Sequence, residues 1–271
     1  MDIRPLSKNH EKEIRKLQAK KYRNEKQLFL AEGINALTEA RRGTFYPLRE
    51  IILSEETVEK RDKKIFEPPF PHGLPVYSCS RRAMETLSTE ESPQGVLLVC
   101  SVSPLTFADL ADHPSNTLIY CDGISDPGNL GTLFRTARWF GFRQFLLSPS
   151  CVDPFNTKAI RASAGTVFGI EIYRPVTGEE LRTFARNRGY SITATTPHEG
   201  TPIDKWSRQK REIILLGQEA RGLSQDFIEG AQHLLSIPGS GTVESLNLAA
   251  AASIIFYELF QSEQVQKDMP S

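Results

Sequence analysis

The sequence predicts an α/β chain in two units, the second a mostly parallel sheet sheathed by helices. Three observations predict it. From Thr117 onward, apolar strand-like runs alternate with helical stretches, the pattern of a parallel sheet covered on both faces. The first hundred residues carry a shorter alternation of their own. A length of 271 residues suits one large domain or two modest ones.

Taken in order, 9–26 reads as a helix with a narrow apolar stripe of Ile14, Leu17 and Tyr22, suited to lying on a surface or a ligand. Residues 29–33 read as a strand end with a Gly turn, 34–42 as a helix and 50–54 as an apolar strand. Residues 67–75, with four prolines in nine positions, must be loop. A strand at PVYSCS, a short helix through Met84 and Leu87, and a strand at 95–102 complete a first unit, placed at 1–105. Residues 103–117 read as a linker.

The second unit, placed at 115–265, opens with the strand TLIYCD. Helix 128–140, strand QFLLS, helix 154–163, strand GIEIY, helix 178–188 and strand YSITATT follow. Strand EIILLG, a short helix 224–230, strand LLSIP and a final Ala-rich helix 245–262 complete it. Asp126-Pro127 and Asp153-Pro154 both read as an N-cap followed by proline at the first helical position. In open α/β sheets, ligands sit beyond the carboxyl ends of the strands. The loops 122–129, 195–200, 217–222 and 238–247 should therefore converge if their strands are neighbours.

Composition is 39% hydrophobic and 24% charged, and no apolar run approaches the ~18–20 residues of a membrane span. The charged N-terminus has no apolar signal core. The four cysteines are widely spaced and read as reduced thiols, so a cytoplasmic location is expected. The five histidines are isolated, so no metal site is expected. Net charge is zero, but residues 1–49 hold 12 Lys or Arg against 6 Asp or Glu. That excess centres on 8–26 and points to a polyanion such as a nucleic acid, with Lys12, Arg15, Lys16, Lys20, Lys21 and Arg23 as its candidate contacts. The alternative is a solvated helix face.

Three constellations carry chemistry. In NLGTLFRTARWFGF, Asn129 lies at a helix start with Arg135 within the helix. A guanidinium beside a loop amide can grip phosphate, although a surface Arg and a turn Asn would look the same. In LLGQEARGLS, Gly217 follows an apolar strand and Glu219 sits at the tip. There Glu219 can accept a hydrogen bond or favour the dipole of the next helix. In IPGSGTVESLNL, a Gly turn precedes Ser245, Leu246 and Asn247 at a helix mouth, where backbone donors meet a ligand or Ser245 caps the helix. GSGTVE lacks the third glycine of a dinucleotide fingerprint, which disfavours an oxidoreductase. No nucleophile elbow is present.

In this order and spacing the three motifs resemble the SpoU/TrmH family of RNA ribose 2′-O-methyltransferases, in the SPOUT superfamily. Asn129, Gly131 and Arg135 match the first motif. Gly217, Glu219 and Gly222 match the second. Ile237, Pro238, Ser245, Leu246 and Asn247 match the third, and RASAGTVF (161–168) also looks like a family segment. The resemblance implies a C-terminal SPOUT trefoil-knot domain preceded by a small α/β/α, ribosomal-protein-like RNA-binding domain, and a homodimer. It implies S-adenosyl-L-methionine as cofactor, held around Thr195, Leu216, Gly217, Ile237, Leu246 and Leu248. Arg135, Asn129, Glu219, Ser245 and Asn247 become the catalytic set, and rRNA is favoured over tRNA as substrate. The sequence departs from many members at Leu248-Ala249, where Val-Ser is common, and at Gly239, where Met is common. A non-catalytic RNA-binding or ribosome-assembly protein on the same fold is the alternative.

Overall fold

The computed structural model describes residues 2–43, 45–67, 69–102 and 105–268, with side chains throughout except at 111 and 263–268. In chain order the elements are β1 (Ile3–Pro5), α1 (Lys8–Lys16), α2 (Lys20–Lys26), β2 (Leu28–Glu32), α3 (Gly33–Arg42), β3 (Leu48–Ser54), α4 (Glu55–Lys60), α5 (Lys63–Phe66), β4 (Val76–Cys79), α6 (Arg81–Leu87) and β5 (Val96–Ser101). Then come α7 (Phe107–Asp112), β6 (Thr117–Cys121), α8 (Pro127–Trp139), β7 (Gln144–Leu147), α9 (Thr157–Ala162), β8 (Glu171–Tyr173), α10 (Gly178–Arg188), β9 (Ser191–Thr196), β10 (Thr201–Pro202), β11 (Glu212–Leu216), α11 (Gln225–Gly230), β12 (His233–Ser236) and α12 (Leu248–Asp268). The chain divides into two compact units, 1–103 with 153–169, and 104–152 with 170–271.

The first unit is a mixed five-stranded sheet in the order β1-β4-β3-β5-β2. Side chains alternate across each strand. Leu30, Ile52, Leu97 and Val99 pack with Ile14 and Leu17 of the N-terminal segment and with Ala83, Met84 and Leu87 of α6. Phe29, next to Leu30 and so on the other face, meets Tyr46, Phe155 and Phe168. The last two belong to 153–169, which follows β7 in sequence yet packs in this unit. Gly165 (φ +87°) makes that packing possible, since a Cβ there would lie 3.0 Å from the Ala36 Cα in α3.

Arg23 corrects an expectation. The basic run places it on RNA, but its side chain is only 3% exposed. Its Nε and Nη2 donate to Asp153 Oδ2 at 2.9 and 2.7 Å, and its Nη1 donates to the carbonyls of Leu17 and Gln18 at 3.0 and 2.7 Å. The guanidinium thus satisfies carbonyls at the end of α1. Those carbonyls lack a helical donor because the helix expected over 9–26 breaks at Leu17–Ala19, where Ala19 is extended. Asp153 is no helix cap: its Oδ1 accepts from the Phe155 N–H at 3.2 Å in a turn ahead of the helix. The cap of α9 is Asn156, whose side chain accepts from the Lys158 N–H at 2.8 Å.

The second unit is a seven-stranded sheet in the order β10-β12-β9-β11-β6-β7-β8, parallel throughout. One face packs Tyr120, Leu146, Ala194 and Leu215 against Leu110 of α7, Leu181 and Phe184 of α10 and Phe227 of α11. The segment expected as a linker therefore holds a core helix, opened by a Thr106–Asp109 capping box; residues 103 and 104 lie outside the described residues. Residues of opposite parity in the same strands face α8 and α12, where Phe134 meets Phe145 edge-on and Phe142 meets Phe256. At the amino end of β11 the Glu212 carboxylate is fully buried and accepts from the Thr193 hydroxyl. Burial pushes its pKa up to about 7, against the lowering pull of Thr193, the Gln209 N–H and Arg208.

Candidate active site

Strands β12, β9, β11 and β6 are consecutive neighbours. Because all run parallel, the four loops expected to converge leave the same edge of the sheet. Two of them start side by side: the Asp122 N–H donates to the carbonyl of Leu216, the last residue of β11, at 2.8 Å. Asp126 caps α8 as expected, accepting from the Asn129 N–H at 2.8 Å. This places Asn129 in the first turn, facing the loop after β11.

That loop is closed on itself. Gln218 and Gly222 exchange backbone hydrogen bonds of 3.1 and 2.8 Å, so Glu219 stands at the tip. Gly217 is required at its root, because a Cβ there would fall 2.4 Å from the Gly222 carbonyl carbon. Asn129 Nδ2 donates to Glu219 Oε1, and Gln218 Nε2 reaches Ser125 Oγ at 3.5 Å. The Gln218–Ser125 link has no signature of its own in the sequence, although both residues stand in the quoted loops.

The third motif arrives through α12. Its first residue is Leu248, not Ser245, and its cap is Asn247, whose Oδ1 accepts from the N–H groups of Ala249 and Ala250 at 2.9 and 3.3 Å. Asn247 Nδ2 also reaches Asn129 Oδ1 at 3.4 Å. The structure therefore brings Asn129, Glu219 and Asn247 together. The side chains of Arg135 and Ser245 make no hydrogen bond or ion pair with these three or with any other described residue; both are exposed.

Of the backbone assigned to a cofactor, 237–246 makes no backbone hydrogen bond among the described residues, which leaves its donors and acceptors open to a ligand. Leu246 is 47% exposed, whereas Leu248 is buried in the first turn of α12. The Thr195 hydroxyl is already committed to the Leu215 carbonyl at 2.8 Å. A run of open backbone groups beside an exposed leucine fits a ligand with a polar edge and an apolar face, as a purine nucleoside has. No group of His, Cys, Asp or Glu able to hold a metal occurs among the described residues.

Residues 116–257, just over half of the chain, match the model of the SpoU rRNA Methylase family. The chain belongs to this family. Residues 8–98 match an MRM3-like substrate binding domain. A relative from Bacillus subtilis (strain 168), 23S rRNA (guanosine(2553)-2′-O)-methyltransferase RlmP, is 29% identical over 251 residues, spanning 92% of this chain and 94% of the relative. The AdoMet-bound rRNA methyltransferase from Sinorhizobium meliloti superposes with a TM-score of 0.81 at 28% identity, covering 96% of this chain and 97% of that one. The SpoU methyltransferase AviRb from Streptomyces viridochromogenes shares the fold, with a TM-score of 0.82 at 20% identity over 95% and 99% of the two chains. The parallel sheet of the second unit is thus the SPOUT fold, preceded in sequence by an N-terminal α/β unit.

In the N-terminal unit of this SpoU-family chain, Lys12, Arg15, Lys16, Lys20 and Lys21 are all exposed on α1 and α2. Lys16 pairs with Glu13 at 2.6 Å, while Lys12, Arg15, Lys20 and Lys21 form no ion pair among the described residues. Lys16 and Lys21 flank the Tyr22 ring at 5.7 and 5.9 Å from its centroid. Among the described residues no helix is long and apolar enough to cross a membrane.

Proposed function

We propose that this chain methylates a ribose 2′-hydroxyl of ribosomal RNA, using S-adenosyl-L-methionine. The observation that carries the reading is the meeting of Asn129, Glu219 and Asn247 from three separate motifs at the carboxyl edge of one parallel sheet. Ribosomal RNA is favoured over tRNA because the relative matched over nearly the full length of both chains carries a 23S rRNA name.

When bound, the cofactor supplies a sulfonium methyl group. The backbone around Leu216, Gly217, Ile237 and Leu246 would hold it, with Thr195 and Leu248 supporting those segments from within the fold. Glu219 accepts hydrogen bonds from the ribose, with Asn129 beside it. The exposed, unpaired Arg135 takes the phosphate next to the target and stabilises negative charge developing on the 2′-oxygen. A guanidinium stays protonated, so it would act by charge rather than as the base, and the 2′-hydroxyl proton would pass to solvent as the oxygen takes the methyl group and the sulfonium becomes a neutral thioether. Ser245, exposed ahead of the α12 cap, orients the ribose. Lys12, Arg15, Lys16, Lys20 and Lys21 bind RNA phosphates, positioning the substrate without reading sequence.

A homodimer is part of the reading. Trp139, Ile254 and Tyr257 are exposed to 83, 40 and 50% on α8 and α12, which pack together. A second copy of the chain would cover so apolar a face.

Arg135→Ala tests the site. Methyl transfer falls at least ~100-fold, the scale of losing one preorganised charge stabiliser, while calorimetric cofactor binding is retained. Near-normal turnover in this variant refutes the assignment. Failure of the wild-type chain to bind the cofactor favours the non-catalytic alternative.

A further inference from the structure

Asparagine amides are ambiguous in orientation, yet here both ends of the hydrogen-bonded chain have fixed polarity. At one end stand the Ala249 and Ala250 N–H groups of α12, which can only donate. At the other stands the Glu219 carboxylate, which can only accept. Because Asn247 Oδ1 is committed to the helix, its Nδ2 must point away, toward Asn129. Asn129 must then turn Oδ1 to Asn247 and Nδ2 to Glu219. Its backbone is held meanwhile by the Asp126 cap at 2.8 Å.

We infer that Asn247 and Asn129 form a one-way hydrogen-bond relay through which the N-terminus of α12 sets the direction of the Glu219 carboxylate. Both asparagines are positioning residues, and Glu219 is the group they aim. This deepens the methyl-transfer reading and rests on it for the role of Glu219, while the relay itself stands on the geometry.

Polarity reversal tests it in the full chain. Asn247→Asp keeps the cap, since Asp caps a helix as well as Asn, but has no N–H for Asn129. The Asn129 amide then turns its N–H toward position 247 and faces Glu219 with its carbonyl, acceptor against acceptor. The ligand-free melting midpoint should fall by about 2–4 °C, the loss of roughly one net hydrogen bond in a chain of this size. Glu219→Gln alone stays within about 1 °C, because a glutamine side chain still accepts. The double variant should recover most of the Asn247→Asp loss, because the new amide at position 219 donates to the turned Asn129.

A double variant no more stable than Asn247→Asp overturns the relay, and so does a rescue that persists equally in an Asn129→Ala background, where only relief of repulsion between the new carboxylate and Glu219 is left to act. Methyl transfer is measured alongside. The double variant should regain its midpoint without regaining turnover, since the carboxylate is gone. A wild-type chain lacking any transferase activity, with the midpoint rescue intact, would sink the methyl-transfer reading and leave the relay standing.

Discussion

Asp153→Ala should be among the most damaging single substitutions outside the apolar core. Arg23 and Asp153 are each 3% exposed, and one carboxylate oxygen accepts two guanidinium bonds of 2.9 and 2.7 Å. Removing Asp153 leaves the guanidinium bonded to two carbonyls but with no counter-charge. Breaking a buried pair from one side costs about 3–5 kcal/mol. At roughly 2–4 °C per kcal/mol for a chain of this size, the midpoint should fall by roughly 10 °C. Replacing both partners, as Arg23→Met with Asp153→Leu, should cost less than Asp153→Ala alone, because no charge is stranded. Thermal melts of the three proteins decide it. An Asp153→Ala midpoint within about 1 °C of wild type would refute a buried pair and return Arg23 to the surface, available to RNA.

Glu212 makes stability depend on pH. Its folded pKa, raised to about 7 by burial, lies above the ordinary glutamate value, so its contribution is complete below about pH 4.5 and is lost as pH rises through 7. The shift corresponds to about 3 kcal/mol. Glu212→Gln should therefore gain on wild type progressively between about pH 5 and 8 in urea unfolding, and a difference independent of pH contradicts this. Reversing Lys12, Lys20 and Lys21 to Glu should weaken RNA binding and flatten its dependence on salt, by about 0.7–0.9 in log–log slope for each phosphate no longer neutralised. An unchanged slope removes α1 and α2 from the RNA surface.

Much of this molecule is legible locally. The parallel sheet follows from apolar runs alternating with helices, and Asp126-Pro127 announces the start of α8 because capping and proline geometry are near-neighbour effects. The same dipeptide signature at Asp153-Pro154 misleads: Oδ2 takes the guanidinium of an arginine 130 residues away, Oδ1 accepts from the Phe155 N–H in a turn, and the helix opens only after Asn156. Ser245 and Asn247 are both good caps, and local chemistry alone does not choose between them. A hydrogen bond to Asn129, 118 positions earlier in the chain, accompanies the choice of Asn247. The packing of 153–169 in the first unit is equally non-local, resting on Phe155 and Phe168 meeting Phe29. Asn129, Glu219 and Asn247 are readable as motifs, but their mutual hydrogen bonds depend on the sheet order.

The most direct test of the central claim is transfer of a labelled methyl group from S-adenosyl-L-methionine to ribosomal RNA, by wild type and Arg135→Ala in parallel, followed by nuclease digestion and nucleoside analysis. Wild type should place the label in a single 2′-O-methylnucleoside, and the variant at least ~100-fold less. Label on a base, or equal label from both proteins, would contradict it.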